Sequence, residues 1–129
     1  MRQRILFVCM GNICRSPTAE GVTRTLAERI GVAAGFEFDS AGTHGYHIGK
    51  APDARATKAA AQRGYDLSSL KGRQVDRADF LHFDRILAMD RDNLSNLVVA
   101  SYRSGQEDRA KDFLRRYTKS YPLPMEART

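Results

Sequence analysis

The chain has no tryptophan, and it has only two cysteines and three histidines. Cys9 and Cys14 are too few for the disulfide framework of a small secreted domain. His44, His47 and His82 lie far from that pair and follow no zinc-ligand spacing, so no metal and no other cofactor is expected. No apolar run approaches the about 20 residues needed to cross a bilayer. The basic start MRQR leads into too short an apolar stretch for a secretory signal. No membrane partner is therefore expected, and two free thiols fit a reducing cytoplasm. A pure basic run is also missing. The net charge is +6, but SGQEDRAKDFLRRYTKS mixes both signs and no aromatic-rich basic stripe offers a nucleic-acid groove. The excess charge suits a phosphorylated or otherwise anionic substrate instead. No repeat, low-complexity tract or linker divides the chain, so residues 1–129 read as a single domain.

With 42% hydrophobic and 28% charged residues, a chain of this length can bury a core. RILFVC is an apolar run of strand length without clean alternation, the pattern of a strand covered on both faces. MGNICR reads as a loop. SPTAEGVTRTLAERI reads as a helix, with Ser16 as its cap, Pro17 in its first turn and Gly31 at its end. Ala19, Val22, Leu26 and Ile30 recur along it at helical spacing. A second strand is expected from about Phe36 to Ser40. A glycine- and proline-containing loop follows, then a second helix from Asp53 to near Gly64. FDRILAMD holds a third strand, and Asp90 at its end can cap a helix through RDNLSNLVV. GQEDRAKDFLRRY has helical propensity but leaves room for a short strand around Phe113. Alternating strands and helices make this an α/β protein with a parallel sheet.

The chemistry concentrates in CMGNICRS. Cys9 stands at the carboxyl end of the first strand, where open α/β sheets place their ligands. Five residues separate it from Arg15. That length lets successive N–H groups converge on one point, with Gly11 permitting close approach and Asn12 tolerating a left-handed conformation. The following helix contributes its unpaired N–H groups and the positive end of its dipole. Met10, Gly11, Asn12, Ile13, Cys14, Arg15 and Ser16 thus form a nest sized for a phosphate dianion. Arg15 adds a planar clamp for two oxygens. Amides, dipole and Arg15 favour the thiolate of Cys9, and Ser16 can donate to the sulfur. Cys9 is placed to attack a phosphorus held above it, giving phosphomonoester hydrolysis through a cysteinyl-phosphate. Cys14 has two readings: inert packing under the loop, or a reversible disulfide that shields Cys9 from oxidation.

FVCMGNICRSPTAEG resembles the active-site segment of the low-molecular-weight protein tyrosine phosphatase family. The likeness continues through DSAGTHGYHIGKAPDARA and GRQVDRADFLHFDRILAMDRDNL. It implies a four-stranded parallel sheet flanked by helices, a phosphate-binding loop after the first strand, and no metal. It implies Cys9 as nucleophile, Arg15 as phosphate clamp, and Asn12 and Ser16 as the groups that hold the loop and tune the thiolate. The implied partners are a tyrosine-phosphorylated protein or a small aryl phosphate, with phosphate or another oxyanion as inhibitor. Tyr46 matches an aromatic wall of the substrate cleft; from the residues alone it reads equally as a partly buried loop tyrosine. His44 and His47 share its loop and take rim positions or no role. Asp53 with Arg55 reads as a helix cap and its charge partner. Asp90 with Asn93 reads as a cap and a loop-bracing polar group. Met10 and Met89 read as packing residues.

The likeness fails near the C-terminus. The family carries an Asp-Pro-Tyr-Tyr block whose Asp is the general acid, followed by a final helix, and TKSYPLPMEART matches neither. Glu126 is a weak substitute for the acid, and Tyr121 for a wall tyrosine. A domain lacking that helix would bare an apolar sheet face and could form a homodimer. Two other functions compete with a phosphatase. One is a protein that binds phosphate or phosphotyrosine with little turnover. The other is an arsenate reductase-like enzyme, against which stands the lack of any cysteine after Cys14.

Overall fold

The computed structural model describes residues 2–120, with side chains through residue 116. The apolar run RILFVC becomes the central strand β1, Gln3–Cys9. Helix α1 follows at Arg15–Arg29. A short 3-10 turn at Ala33–Gly35 leads into β2, Phe36–Gly42. Helices α2, Ala54–Gln62, and α3, Arg77–His82, precede β3, Arg85–Ala88. Helices α4, Arg91–Arg103, and α5, Glu107–Ser120, complete the described chain.

Among the described residues the sheet has three parallel strands in the order β2-β1-β3, not the four that the sequence resemblance implied. The residues after α4 explain the difference. Ala110 and Phe113 recur at helical spacing and are both buried, and Glu107 pairs with Lys111 one turn on at 3.4 Å. That pattern stabilises a helix and offers no alternation for a strand. Phe113, the possible centre of a strand, instead sits on α5 with its ring edge-on to Phe80, centroids 6.2 Å apart. Helix α5 also covers carbonyls along β3 and the turn before it. Arg116 Nη2 donates to Ile86 O at 3.0 Å, and Arg109 donates to Phe80 O and Phe83 O. Arg116 thus occupies an acceptor on β3 itself, and Arg109 holds the end of α3.

One face of the sheet carries the main core. Leu6, Val8, Ala41 and Ile86 pack there against Phe80 and Phe83 from the α3 region, Leu94 and Leu97 of α4, and Phe113. Helix α1 covers the other face over β1 and β2. It does so in an unexpected orientation. Its buried residues are Ser16, Pro17, Glu20, Gly21 and Ala27, whereas Leu26 and Ile30 of the expected apolar stripe are 44% and 73% exposed. The chain therefore turns Ser16, Glu20 and Arg24, spaced by four and hence on one helix face, toward the sheet. Three helices are capped by aspartates. Asp53 Oδ2 accepts from Arg55 N and Ala56 N, Asp76 forms a capping box with Asp79, and Asp90 accepts from Asn93 N. The short helix α3 lies in a stretch that reads from sequence as turns, and the Asp76 box is what starts it.

In the order β2-β1-β3 the chain leaves β1 for β2 on one side and then crosses from β2 to β3 on the other. The carboxyl end of β1 is thus the switch point at which α/β sheets open a crevice. Cys9 is the last residue of β1 and pairs with Gly42.

Candidate active site

Beyond Cys9 the chain wraps into a loop whose shape depends on Asn12. Its φ is +57°, the only positive value at a non-glycine residue among the described residues. Neighbouring backbone presses on the loop closely. A Cβ at Gly42 would lie 2.6 Å from Met10 O, and one at Gly72 would lie 2.4 Å from His47 O. Both positions need glycine for that approach. Hydrogen bonds then tie the rim together. Thr43 N donates to Cys9 O and His44 N to Met10 O, each at 2.9 Å, and Asp53 N donates to Ile13 O at 2.6 Å.

The Asn12 amide has a fixed orientation. Arg73 N, a donor only, lies 2.9 Å from Oδ1. Nδ2 must therefore donate, to Ser16 Oγ at 2.8 Å and to Ser40 Oγ at 3.0 Å. Each hydroxyl accepts from Asn12 and keeps its own proton for another partner. Ser40 donates to Glu20 Oε1 at 2.7 Å. Ser16 Oγ lies 3.0 Å from Cys9 Sγ, where its hydroxyl can turn its proton to the sulfur. The backbone N–H of Asn12 reaches the same sulfur at 3.3 Å. Two groups able to donate a hydrogen bond thus meet at Cys9 beside the start of α1. The far end is anchored by Glu20, whose carboxylate is 4% exposed and pairs with Arg24 at 2.6 Å.

Ser16, expected as the helix cap, does not cap. Helix α1 begins at Arg15 with Cys14 at the cap position and no side-chain capping bond, and the Ser16 hydroxyl serves the sulfur. Cys9 is buried, whereas Cys14 is exposed; both are free thiols. Met10 is 45% exposed and is not a packing residue. Arg15 extends to Asp90, with Nη1 2.6 Å from Oδ2. That hydrogen bond keeps the guanidinium charged beyond its ordinary range. The Asp90 carboxyl is held below its ordinary range first by the Asn93 N–H and then by Arg15. A depressed carboxyl contributes stability above its unfolded-state pKa and loses it as pH falls through the folded value. The Arg15–Asp90 contact therefore persists through neutral pH. Asn93 is 1% exposed. The orientation that satisfies its amide places Nδ2 3.1 Å from Asp90 Oδ1 and Oδ1 3.3 Å from Met10 N, which ties α4 to the loop.

Tyr46 stands on the rim, 67% exposed, with its ring stacked on His44 at 5.2 Å between centroids. His47 lies against Gly11. His82 is elsewhere, paired with Glu37 at 2.5 Å. Asp53 caps α2, as expected of it. Among the described residues no three His, Cys, Asp or Glu side chains cluster closely enough to hold a metal ion, and no helix is long and apolar enough to cross a membrane. Glu126 and Tyr121 lie outside the described residues. Glu20, Ser40 and Arg73 were not apparent as site residues from sequence. The one local signal was the four-residue spacing of Ser16, Glu20 and Arg24 on a helix face that should have been apolar.

The Asn12 network makes a stability prediction. Asn12→Ala removes three side-chain hydrogen bonds and puts a Cβ-bearing residue without a polar side chain at φ +57°. The expected loss is roughly 3–5 kcal/mol in urea unfolding, with Asn12→Gly recovering about 1 kcal/mol of it. A loss below about 1 kcal/mol for Asn12→Ala would show that the network does not organise the loop.

A sequence model of the low molecular weight phosphotyrosine protein phosphatase family matches residues 4–122. A putative low molecular weight protein-tyrosine-phosphatase of Synechocystis is 42% identical over 118 residues, 92% of this chain and 74% of that one. The crystal structure of YfkJ from Bacillus subtilis superposes with a TM-score of 0.77 at 38% identity, covering 80% of this chain and 65% of YfkJ. A Drosophila arginine phosphatase superposes with a TM-score of 0.73 at 35% identity, covering 80% and 63%. The chain thus spans a little under two thirds of each of these two solved structures. With a matched region that contains all of β1 but its first residue, the nest and the Asn12 network, the chain belongs to the low molecular weight phosphotyrosine protein phosphatase family.

Proposed function

We infer that the protein hydrolyses phosphotyrosine or aryl phosphomonoesters through a phosphocysteine on Cys9. The observation that carries this reading is the pair of donors, Ser16 O–H and Asn12 N–H, on the sulfur at the end of β1. In the first step Cys9 Sγ attacks phosphorus, the S–P bond forms, and the P–O bond breaks with its electron pair on the departing phenolate. In the second, water attacks phosphorus and the S–P bond breaks, returning the thiolate and releasing phosphate. The amides of Gly11 and of Ile13 through Ser16 and the Arg15 guanidinium stabilise the three equatorial oxygens. Asp90 holds Nη1 of Arg15 and Nη2 lies 3.4 Å from the Asn93 side-chain amide, so α4 orients the fork for the phosphoryl group. The Tyr46–His44 stack offers a flat wall to an aromatic leaving group.

The similarity to an arginine phosphatase supports a second substrate class, phosphoarginine. Hydrolysis of matched phosphotyrosine and phosphoarginine peptides separates the two. The first reading expects phosphotyrosine to win; faster release from phosphoarginine would replace it.

Leaving-group dependence follows from the same mechanism. The sequence has no Asp-Pro-Tyr-Tyr block. For the 129-residue chain, p-nitrophenyl phosphate should react readily, because its phenolate departs without a proton. Phenyl phosphate should be slower by roughly the 10²- to 10⁴-fold that general acid catalysis supplies. Similar rates on both, with a selective loss on phenyl phosphate in Glu126→Gln, would instead assign the donor to Glu126.

A further inference from the structure

The outward-facing side of α1 is half of a groove. Ala19 and Val22, from the stripe at helical spacing, line its floor together with Ala56, Ala59 and Ala60 of α2, and the space between the helices is about 830 Å³. The alanines create it, since two helices packing through such short side chains leave a trough where larger ones would interdigitate. One end is formed by Cys14 and Arg15, members of the candidate phosphate nest. The Asp53 N to Ile13 O bond ties the start of α2 to that loop, so groove and nest share a rim. The other end is formed by Arg63 and Tyr65. Arg29 lies over the Tyr65 ring at 5.3 Å and donates to Gly64 O, which places a second cation there.

We propose that this groove is a substrate-docking site for the chain flanking the phosphorylated residue of a protein, with apolar side chains on the alanine floor and a carboxylate at Arg63. The proposal rests on the phosphotyrosine reading and adds which peptides the site prefers. Its length sets the spacing. Ala56 to Arg63 is seven helical steps, about 10 Å, which an extended peptide crosses in about three residues. The rim between nest and groove takes a further residue or so. The favoured peptide therefore has apolar residues next to its phosphotyrosine and an acidic residue about three to five positions away. The fit is to a peptide of one charge pattern. An apolar floor closed by cations at its far end has no use for a second phosphate close by.

The test uses p-nitrophenyl phosphate and two phosphotyrosine peptides. One carries apolar flanks with Glu four positions from the phosphotyrosine; the other has Ser flanks and Lys at that place. The wild-type chain should favour the first by about tenfold in kcat/KM, the scale of burying one or two methyl-sized groups and a partly exposed charge contact. Ala59→Trp fills the floor from an exposed helix position. It should bring the two peptides near parity and leave p-nitrophenyl phosphate hydrolysis unchanged. Arg63→Glu should lower the rate on the Glu peptide and raise it on the Lys peptide. If both variants discriminate between the peptides as the wild type does, the docking site is refuted. If Ala59→Trp also slows p-nitrophenyl phosphate, Arg63→Glu decides alone. If the wild-type chain hydrolyses none of the three, the phosphatase reading fails first. Fluorescence anisotropy of the same peptides on the same three proteins then decides for or against the groove separately.

Discussion

Replacing Cys9 by serine removes turnover of p-nitrophenyl phosphate by about 10⁵-fold or more while phosphate binding survives. Serine is close to cysteine in size, and Cys9 is 4% exposed, so the substitution should not disturb the strand end. The Ser16 hydroxyl and the Asn12 N–H that now face sulfur can face oxygen equally well. The change lies in the nucleophile. A serine hydroxyl needs a base to take its proton, and the group beside it, Ser16, is a donor whose oxygen is already occupied by Asn12 Nδ2. No relay leads a proton away from position 9. Binding of inorganic phosphate, read by calorimetry, should persist because the amides of the nest are backbone groups. Loss of binding together with turnover would mean that the substitution unfolded the loop, and the urea midpoint distinguishes that case.

Arg15→Lys should be nearly as damaging as Arg15→Ala, each lowering kcat by about 10²- to 10³-fold. The guanidinium has two separate duties here. Nη1 is held by Asp90 at 2.6 Å and Nη2 lies 3.4 Å from the Asn93 side-chain amide, and the fork so oriented meets two phosphoryl oxygens at fixed separation. A lysine ammonium retains the charge and the Asp90 contact but has no planar fork to present. The effect should fall on kcat more than on KM, because the three oxygens spread into the plane that the fork matches only as the phosphoryl group transfers. Steady-state kinetics on the three proteins decides this. Near-normal turnover in Arg15→Lys would show that a point charge suffices.

The parts of this site that were legible in the sequence are the local ones. Cys9 at a strand end, Gly11 and Asn12 inside a short loop, and a helix immediately after Arg15 can be read from about ten consecutive residues. Each has a physical meaning that needs no distant partner. The supporting network was not legible, because its bonds join Asn12 to Ser40, Glu20 to Ser40 and Arg73 to Asn12 across 20 to 61 residues. Ser16 was misassigned for a related reason. A serine before a proline has the pattern of a helix cap, and only the approach of β1 shows that its hydroxyl is committed to sulfur. The orientation of α1 was also hidden. Periodicity gives the stripe of Ala19, Val22, Leu26 and Ile30 but not the direction in which it faces. A buried Glu20 satisfied by Ser40 and Arg24 sets that direction. The fourth strand came from the family likeness and not from the residues. In GQEDRAKDFLRRY the apolar spacing and i,i+4 charge pairs favour the helix that is found.

The central claim is that Cys9 carries the phosphoryl group between substrate and water, and a trapping experiment addresses it most directly. The 129-residue chain is mixed with excess p-nitrophenyl phosphate, quenched in acid within the first turnover, and digested for mass analysis of the peptide containing Cys9. An initial burst of p-nitrophenolate, stoichiometric with protein, together with one phosphoryl group on Cys9 is the predicted result. Steady hydrolysis with no burst and an unmodified Cys9 peptide, or a phosphoryl group on any other residue, would contradict it.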